Sequence, residues 1–270
     1  MAVWAGVSLS PLAAFGADPA EAAPAAKPPS LLDEAFNKWM NDQGRWAYTE
    51  SQRVTGFNQQ PKGETLLRVD PSQTYPEQFK PFKVEGQEPT EKQVQQYRGR
   101  GEWLARRRKQ AEDDAREHSA DEIKLNLNGQ VVMPDLKHAT VLTEDEKSVT
   151  YEVPLHKSEK DGGQVFDKFQ LSVRVNKQRR DFERATIRQR TSMRVQLVIK
   201  VTETELEFEF TSVDPRFPST ITKETQHATI GVLFVKRVVS AEVTRTDLKH
   251  VTPYDERFGV KFGPIRTIQF

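Results

Sequence analysis

Residues 169–175 read FQLSVRV: Phe169, Leu171, Val173 and Val175 alternate without a break against Gln170, Ser172 and Arg174. A period of two places one set on each face of a strand, apolar to one side and polar to the other. The same pattern spreads in both directions. Upstream, TVLTEDEKSVTYEVPL (residues 140–155) holds two strands around a polar turn, with Val149, Tyr151 and Val153 on one face. Downstream, a turn at Asn176–Arg179 sends Phe182 to Arg190 back along the sheet. Met193, Val195, Leu197, Ile199 and Val201 then give inward positions that Leu206, Phe208 and Phe210 continue.

The change from odd to even inward positions predicts a tight hairpin loop at Glu203–Thr204. In that register Val201 faces Leu206, Ile199 faces Phe208, Leu197 faces Phe210, and Lys200 lies opposite Glu207. Thr220–Thr229, Val232–Arg237 and Val239–Thr246 extend the sheet, and the tail YDERFGVKFGPIRTIQF is expected to dock on its edge. Nearer the N-terminus, RWAYTESQRV (45–54), GETLLRVD (63–70) and FKPFKVEG (79–86) read as further strands.

Two segments change period. Ser30 offers a helix N-cap with Asp33 as its partner, and Leu31, Leu32, Ala35, Phe36, Trp39 and Met40 follow at helical spacing until Gly44. Thr90 and Gln93 form a second capping box at the head of a polar helical segment, residues 90–118. Val94, Tyr97, Gly101, Leu104, Ala111 and Ala115 give that segment a thin seam. Arg98, Arg100, Arg106, Arg107, Arg108 and Lys109 make its first half basic, while Glu112, Asp113, Asp114 and Glu117 make its second half acidic. The basic half is a candidate anion or partner contact; the plain alternative is a solvated helix whose charges pair locally.

The expected fold is mainly β (α+β): a curved antiparallel half-barrel of about eleven strands, an amphipathic helix on its concave face and one long polar helix. Residues 30–270 form a single domain in this reading. Ala2 to Phe15 is an uncharged apolar stretch ending in small residues, so residues 1–16 read as a secretory signal peptide and the Ala/Pro-rich residues 17–29 as a linker. The implied location is the periplasm, without a lipid anchor, since the chain has no cysteine. No segment beyond residue 16 has the sustained apolar length of a transmembrane span. The balance of 40 basic against 39 acidic residues gives no electrostatic case for a nucleic-acid partner.

RWAYTES, GETLLRVDPS, FKPFKVEGQEPT and the long run of strands resemble a group of bacterial envelope proteins similar in build to the LolA/LolB-like lipoprotein-localisation family. The likeness covers most of residues 30–250 and lies in order and texture. It implies a half-barrel holding helices on its concave side, and carriage of lipoprotein acyl chains; no functional residue of that family transfers by motif. The chain departs from it in lacking an anchoring cysteine and in carrying the polar 90–118 segment.

A search for chemistry leaves little. Without cysteine there is no thiol nucleophile, disulfide or thiolate metal site. His118, His138, His156, His227 and His250 are scattered, with no metal-ligand spacing. Neither a GxSxG elbow nor a phosphate-binding glycine loop occurs. Glu203, Glu205, Glu207 and Glu209 form a row that reads as a solubilising face balanced by Arg194 and Lys200.

The expected function is therefore non-enzymatic and without a cofactor. One reading is a periplasmic carrier holding an acyl chain, a lipid or an acylated protein, in a groove lined by Phe36, Trp39, Met40, Trp46, Tyr48, Leu171, Val173, Leu197, Ile199, Phe208 and Phe210. The other is an envelope structural or interaction module that meets a protein partner through segment 90–118. A void beneath the first helix favours carriage; a filled core with an exposed second helix favours the interaction module.

Overall fold

A computed structural model of the chain describes residues 30–56, 60–117, 124–127, 130–157, 168–196, 199–232, 235–258 and 267–269. The signal-peptide and linker segments read at residues 1–29, together with Leu197 and His118, lie outside the described residues. So do the side chains of Arg107, Arg108, Lys109, His156 and Ile199.

Helix α1 runs Ser30–Asp42, and α2 runs Glu91–Glu117. The strands in chain order are β1 (Trp46–Thr55), β2 (Thr65–Val69), β3 (Phe79–Lys83), β4 (Lys124–Leu127), β5 (Gln130–Pro134), β6 (Thr140–Glu144), β7 (Ser148–Val153), β8 (Leu155–Lys157), β9 (Phe169–Asn176), β10 (Asp181–Gln189), β11 (Met193–Gln196), β12 (Ile199–Thr211), β13 (Thr220–Val232), β14 (Val235–His250) and β15 (Thr267–Gln269). Ten of them form one open antiparallel path, β3-β2-β1-β14-β13-β12-β10-β9-β7-β6, and β11 pairs with β12 beside it. The start of the C-terminal tail docks beside edge strand β3, where Tyr254 meets Tyr75 edge-on with ring centroids 5.7 Å apart, but its end lies elsewhere. Its strand β15 pairs in parallel with β4, in a small separate sheet ordered β15-β4-β5-β8.

The alternation of residues 169–175 is realised as read: Leu171, Val173 and Val175 are buried, with Val149, Tyr151 and Val153 beside them on β7. These residues, with Ile187, Leu206, Phe208 and Phe210, are the wall against which α1 packs Leu32, Ala35, Phe36, Trp39 and Met40. The apolar positions of α1 recur at three and four residues, so a single stripe of the helix enters the core. Gly44 ends the helix in the left-handed region, φ 73°.

One expected register is wrong. There is no hairpin at Glu203–Thr204; β12 runs straight through it. The pairing with β13 shifts by one residue between Val201 and Glu203, a β-bulge. A bulge moves the inward set from odd to even positions just as a hairpin would, without reversing the chain. Consequently Val201 lies opposite Ile230, Phe208 opposite Glu224 and Phe210 opposite Ile221. Lys200 faces Gly231 and Arg194, not Glu207. The three strands read between residues 220 and 246 are two long ones, β13 and β14.

Candidate functional site

The ladders place one row of residues across six strands. Ala185, Phe208, Glu224, Val243, Gln52 and Thr65 are successive partners on β10, β12, β13, β14, β1 and β2. Directly opposed residues project from the same face. At one end of this face lies α1 on β9 and β10. At the other, Tyr97 and Leu104 of α2 pack on Leu67, Val69 and Phe79, with Tyr48 alongside. Both helices therefore cover the same side of the sheet, and the floor between them turns from apolar to polar.

The apolar half is closely packed. Phe36 meets Phe182 edge-on with ring centroids 4.9 Å apart, and Trp39 meets Phe182 at 5.6 Å and Phe210 at 5.9 Å. The remaining cavity, bounded by Phe36, Trp39, Leu171, Val173, Phe182, Ala185, Ile187, Phe208 and Phe210, is about 30 Å³. A ligand pocket for a drug-sized molecule needs about 300–1,000 Å³. Of the residues expected to line a groove, Phe36, Trp39, Met40, Leu171, Val173, Phe208 and Phe210 come together, but as a filled core. Trp46 and Tyr48 stand apart from them, in the two polar arrangements that follow.

Tyr48 belongs to an ion cluster that alternation did not reveal. Arg245 on β14 lies opposite Glu50 on β1, with Nε 3.5 Å from the Glu50 carboxylate and Nη2 3.8 Å from that of Glu224. Both separations exceed the 2.7–2.9 Å typical of a tight charge-assisted bond, and Arg245 Nε is buried without a hydrogen-bond partner. Its guanidinium lies 4.9 Å from the centre of the Tyr48 ring. Burial pushes the Glu224 carboxyl above its ordinary range against the pull of Arg245, and Glu50 adds to the rise. Burial likewise raises the Tyr48 phenol. The available signal was register: Glu50 follows Trp46 and Tyr48 at alternate positions, so it had to share their face.

Trp46 belongs to the junction between α1 and the sheet. Asp42, the last residue of α1, accepts a hydrogen bond from Trp46 Nε1 at 2.5 Å and lies 2.9 Å from His250 Nε2. His250 stacks on Phe217 with centroids 3.6 Å apart. A carboxylate at a helix C-terminus opposes the helix dipole, so these partners compensate an unfavourable position. The four-residue step from Asp42 to Trp46 was the only hint in the sequence.

Helix α2 begins with the capping box read from the sequence. The Gln93 N–H donates to Thr90 Oγ1 at 3.3 Å, and the Thr90 N–H donates to Gln93 Oε1 at 2.8 Å. Its inner side is clamped at Gly101, where a Cβ would come within 1.8 Å of the Tyr75 carbonyl oxygen. Away from that side Arg98, Glu102 and Arg106 are exposed, and Trp103 is 41% exposed. Arg100 also reaches over the Phe79 ring at 4.8 Å.

The other face of the sheet carries charge networks. Glu205 pairs with Arg188, and Glu207 with Arg184, both on β10, so these two glutamates are balanced from that strand, while the side chain of Arg194 lies outside the described residues. An open depression of about 420 Å³ at the β6–β7 turn is lined by Asp145, Glu146, Lys147, Ser148, Arg174 and Glu183. Backbone N–H groups of Lys147 and Ser148, followed by Arg174, hold Asp145 below the ordinary carboxylate range. Burial pushes Glu183 up, but hydrogen bonds from Asn176, Ser148 and Arg174 outweigh it. Its polar groups are spent on each other, which makes it a turn-fixing network. His138 contacts Asp135, and His227 is exposed. Among the described residues no three His, Asp or Glu side chains are placed to hold a metal ion, and no helix is long and apolar enough to cross a membrane. Comparison with known proteins returns no matching family model and no matching curated sequence.

Proposed function

We propose that this protein is a non-enzymatic interaction module of the bacterial envelope, exported to the periplasm, that docks through the outward side of α2. One observation carries the reading: the space beneath α1 is filled to within about 30 Å³, while α2 turns a 41% exposed Trp103 outward among arginines. Tryptophan and arginine are the side chains that most often dominate contact energies. Retention of the purified protein on isolated envelope fractions tests it. Binding should fall in a folded Trp103→Ala, Arg106→Gln variant; unchanged retention would count decisively against α2 as the contact.

A second reading is the carrier implied by the likeness to the LolA/LolB-like family, in a curved half-barrel. It draws on the common face, where an apolar floor under α1 adjoins the Glu50–Glu224–Arg245 cluster, an arrangement suited to a chain with a polar head. Binding would require α1 to leave its seat, because a cavity of about 30 Å³ admits no acyl chain. Native mass spectrometry separates the two readings. A co-purifying mass in the lipid range, lost on denaturation, supports carriage, and a bare polypeptide supports the interaction module.

A further inference from the structure

The large sheet ends in two edge strands, and they are built differently. At one end β3 reads FKPFK. Pro81 has no N–H to give a further strand, and Lys80 and Lys83 flank it, so this edge resists pairing. At the other end β6 reads TVLTE, with neither proline nor lysine. All five of its residues are exposed, so among the described residues nothing covers it. The core also stops short there. Val173, Tyr151 and Val141 are successive partners on β9, β7 and β6, and they are 1%, 4% and 54% exposed. Leu142 beside Val141 is 46% exposed. An open edge with two adjoining apolar side chains is a template for another strand.

We propose that the strand it takes is β6 of a second copy, paired antiparallel about a two-fold axis between Val141 and Leu142. Residues 137–146, KHATVLTEDE, are complementary to themselves read backwards. With the axis at that point, Val141 of each copy lies opposite Leu142 of the other, and Thr140 opposite Thr143, both favourable cross-strand pairs. At each end Lys137 of one copy comes to Glu146 of the other. Both side chains are exposed, and neither has an ion partner among the described residues. His138 and Asp145 follow the same order of charge but are already held, by Asp135 and Arg174. A foreign peptide gives no reason for one strand to carry two matching halves; a second copy does. The contact is self-limiting, because it uses β6 of both copies and leaves only the proline-barred β3 edges. A bulge between Val141 and Thr143 bends β6 and confines the new ladder to a few residues. The interface is therefore smaller than the roughly 800 Å² per partner of a standard one, and the dimer is reversible, with a Kd on the order of 10–100 μM. It is independent of α2, which packs at the β3 end of the sheet.

The test is sedimentation velocity of the full chain from about 5 to about 500 μM, a range that brackets a weak interface. The wild type should pass from monomer to dimer and no further. Leu142→Lys brings two like charges together at the axis and should abolish the dimer. Lys137→Glu and Glu146→Lys should each weaken it roughly tenfold, because both end pairs become like-charged. An equimolar mixture of those two variants should return to near the wild-type affinity, since every end pair between unlike copies is then opposite in charge. Circular dichroism should show all three variants folded, as their positions are exposed. A monomer across the whole range overturns the proposal. So does a dimer that survives Leu142→Lys, or a mixture that associates no more tightly than either variant alone.

Discussion

Phe208 and Glu224 lie opposite one another on β12 and β13 and project from the same side of the sheet. One is 2% exposed under α1, and the other is a carboxyl held beside Arg245 at 3.8 Å. The face they share thus changes character within one strand spacing, and each half has its own test.

On the apolar side, Phe208→Ala should destabilise the fold by about 3–5 kcal/mol, because the aromatic wall around Phe36, Trp39 and Phe182 cannot close on the space left behind. Urea unfolding followed by far-UV circular dichroism reads this directly. A loss below 1 kcal/mol would mean that the core beneath α1 is far looser than its geometry.

On the polar side, Glu224 has a raised pKa in the folded state, so folding favours its protonated form. Its contribution to stability is full below its ordinary value of 4.5 and is lost as pH rises through the higher folded value. Glu224→Gln should therefore flatten the stability profile between 4.5 and that higher value. Arg245→Met should cost about 3–5 kcal/mol near neutral pH by leaving Glu50 uncompensated. Denaturant titrations across the pH range check both.

The two helical glycines make opposite predictions. Gly99→Ala meets open space and should stabilise α2 by about 0.5–1 kcal/mol. Gly101→Ala drives a methyl into the Tyr75 carbonyl oxygen, lifting α2 from β3 and lowering the melting temperature. Equal effects of the two substitutions would show that α2 does not sit on Tyr75.

At the end of α1, Asp42→Asn keeps an acceptor for Trp46 but removes the charge facing His250. Relief at the helix C-terminus offsets part of the loss, leaving a net destabilisation of about 1–2 kcal/mol. Hydrogen exchange should quicken in α1 while the amides of β9 and β10 stay protected.

Much of this architecture was readable from residue order. Period-two runs such as Phe169–Val175 and the capping pair Thr90–Gln93 are local signals, and local geometry determines them. The hairpin expected at Glu203–Thr204 failed because a parity switch has two physical solutions, a turn or a bulge. Glu203–Thr204 carries none of the glycine, asparagine or proline that a tight turn demands, and that absence was the discriminating feature. Glu50, Glu224 and Arg245 were not legible as a group because they meet only through pairings between distant strands. The same holds for Asp42 and His250, which are 208 residues apart in the chain.

The pairing of β1 with β14 also sets an order of assembly. Trp46 lies opposite His250, so the first strand of the sheet waits for nearly the last to be made before it gains its second neighbour. At about 5–20 residues per second that interval is on the order of ten seconds or more during synthesis. Through it, β1 can pair only within the meander of β1, β2 and β3, and α1 has no seat until β9 and β10 have been made. A chain whose closing contacts are this remote stays unfolded long enough to be engaged by chaperones, and it folds slowly once released.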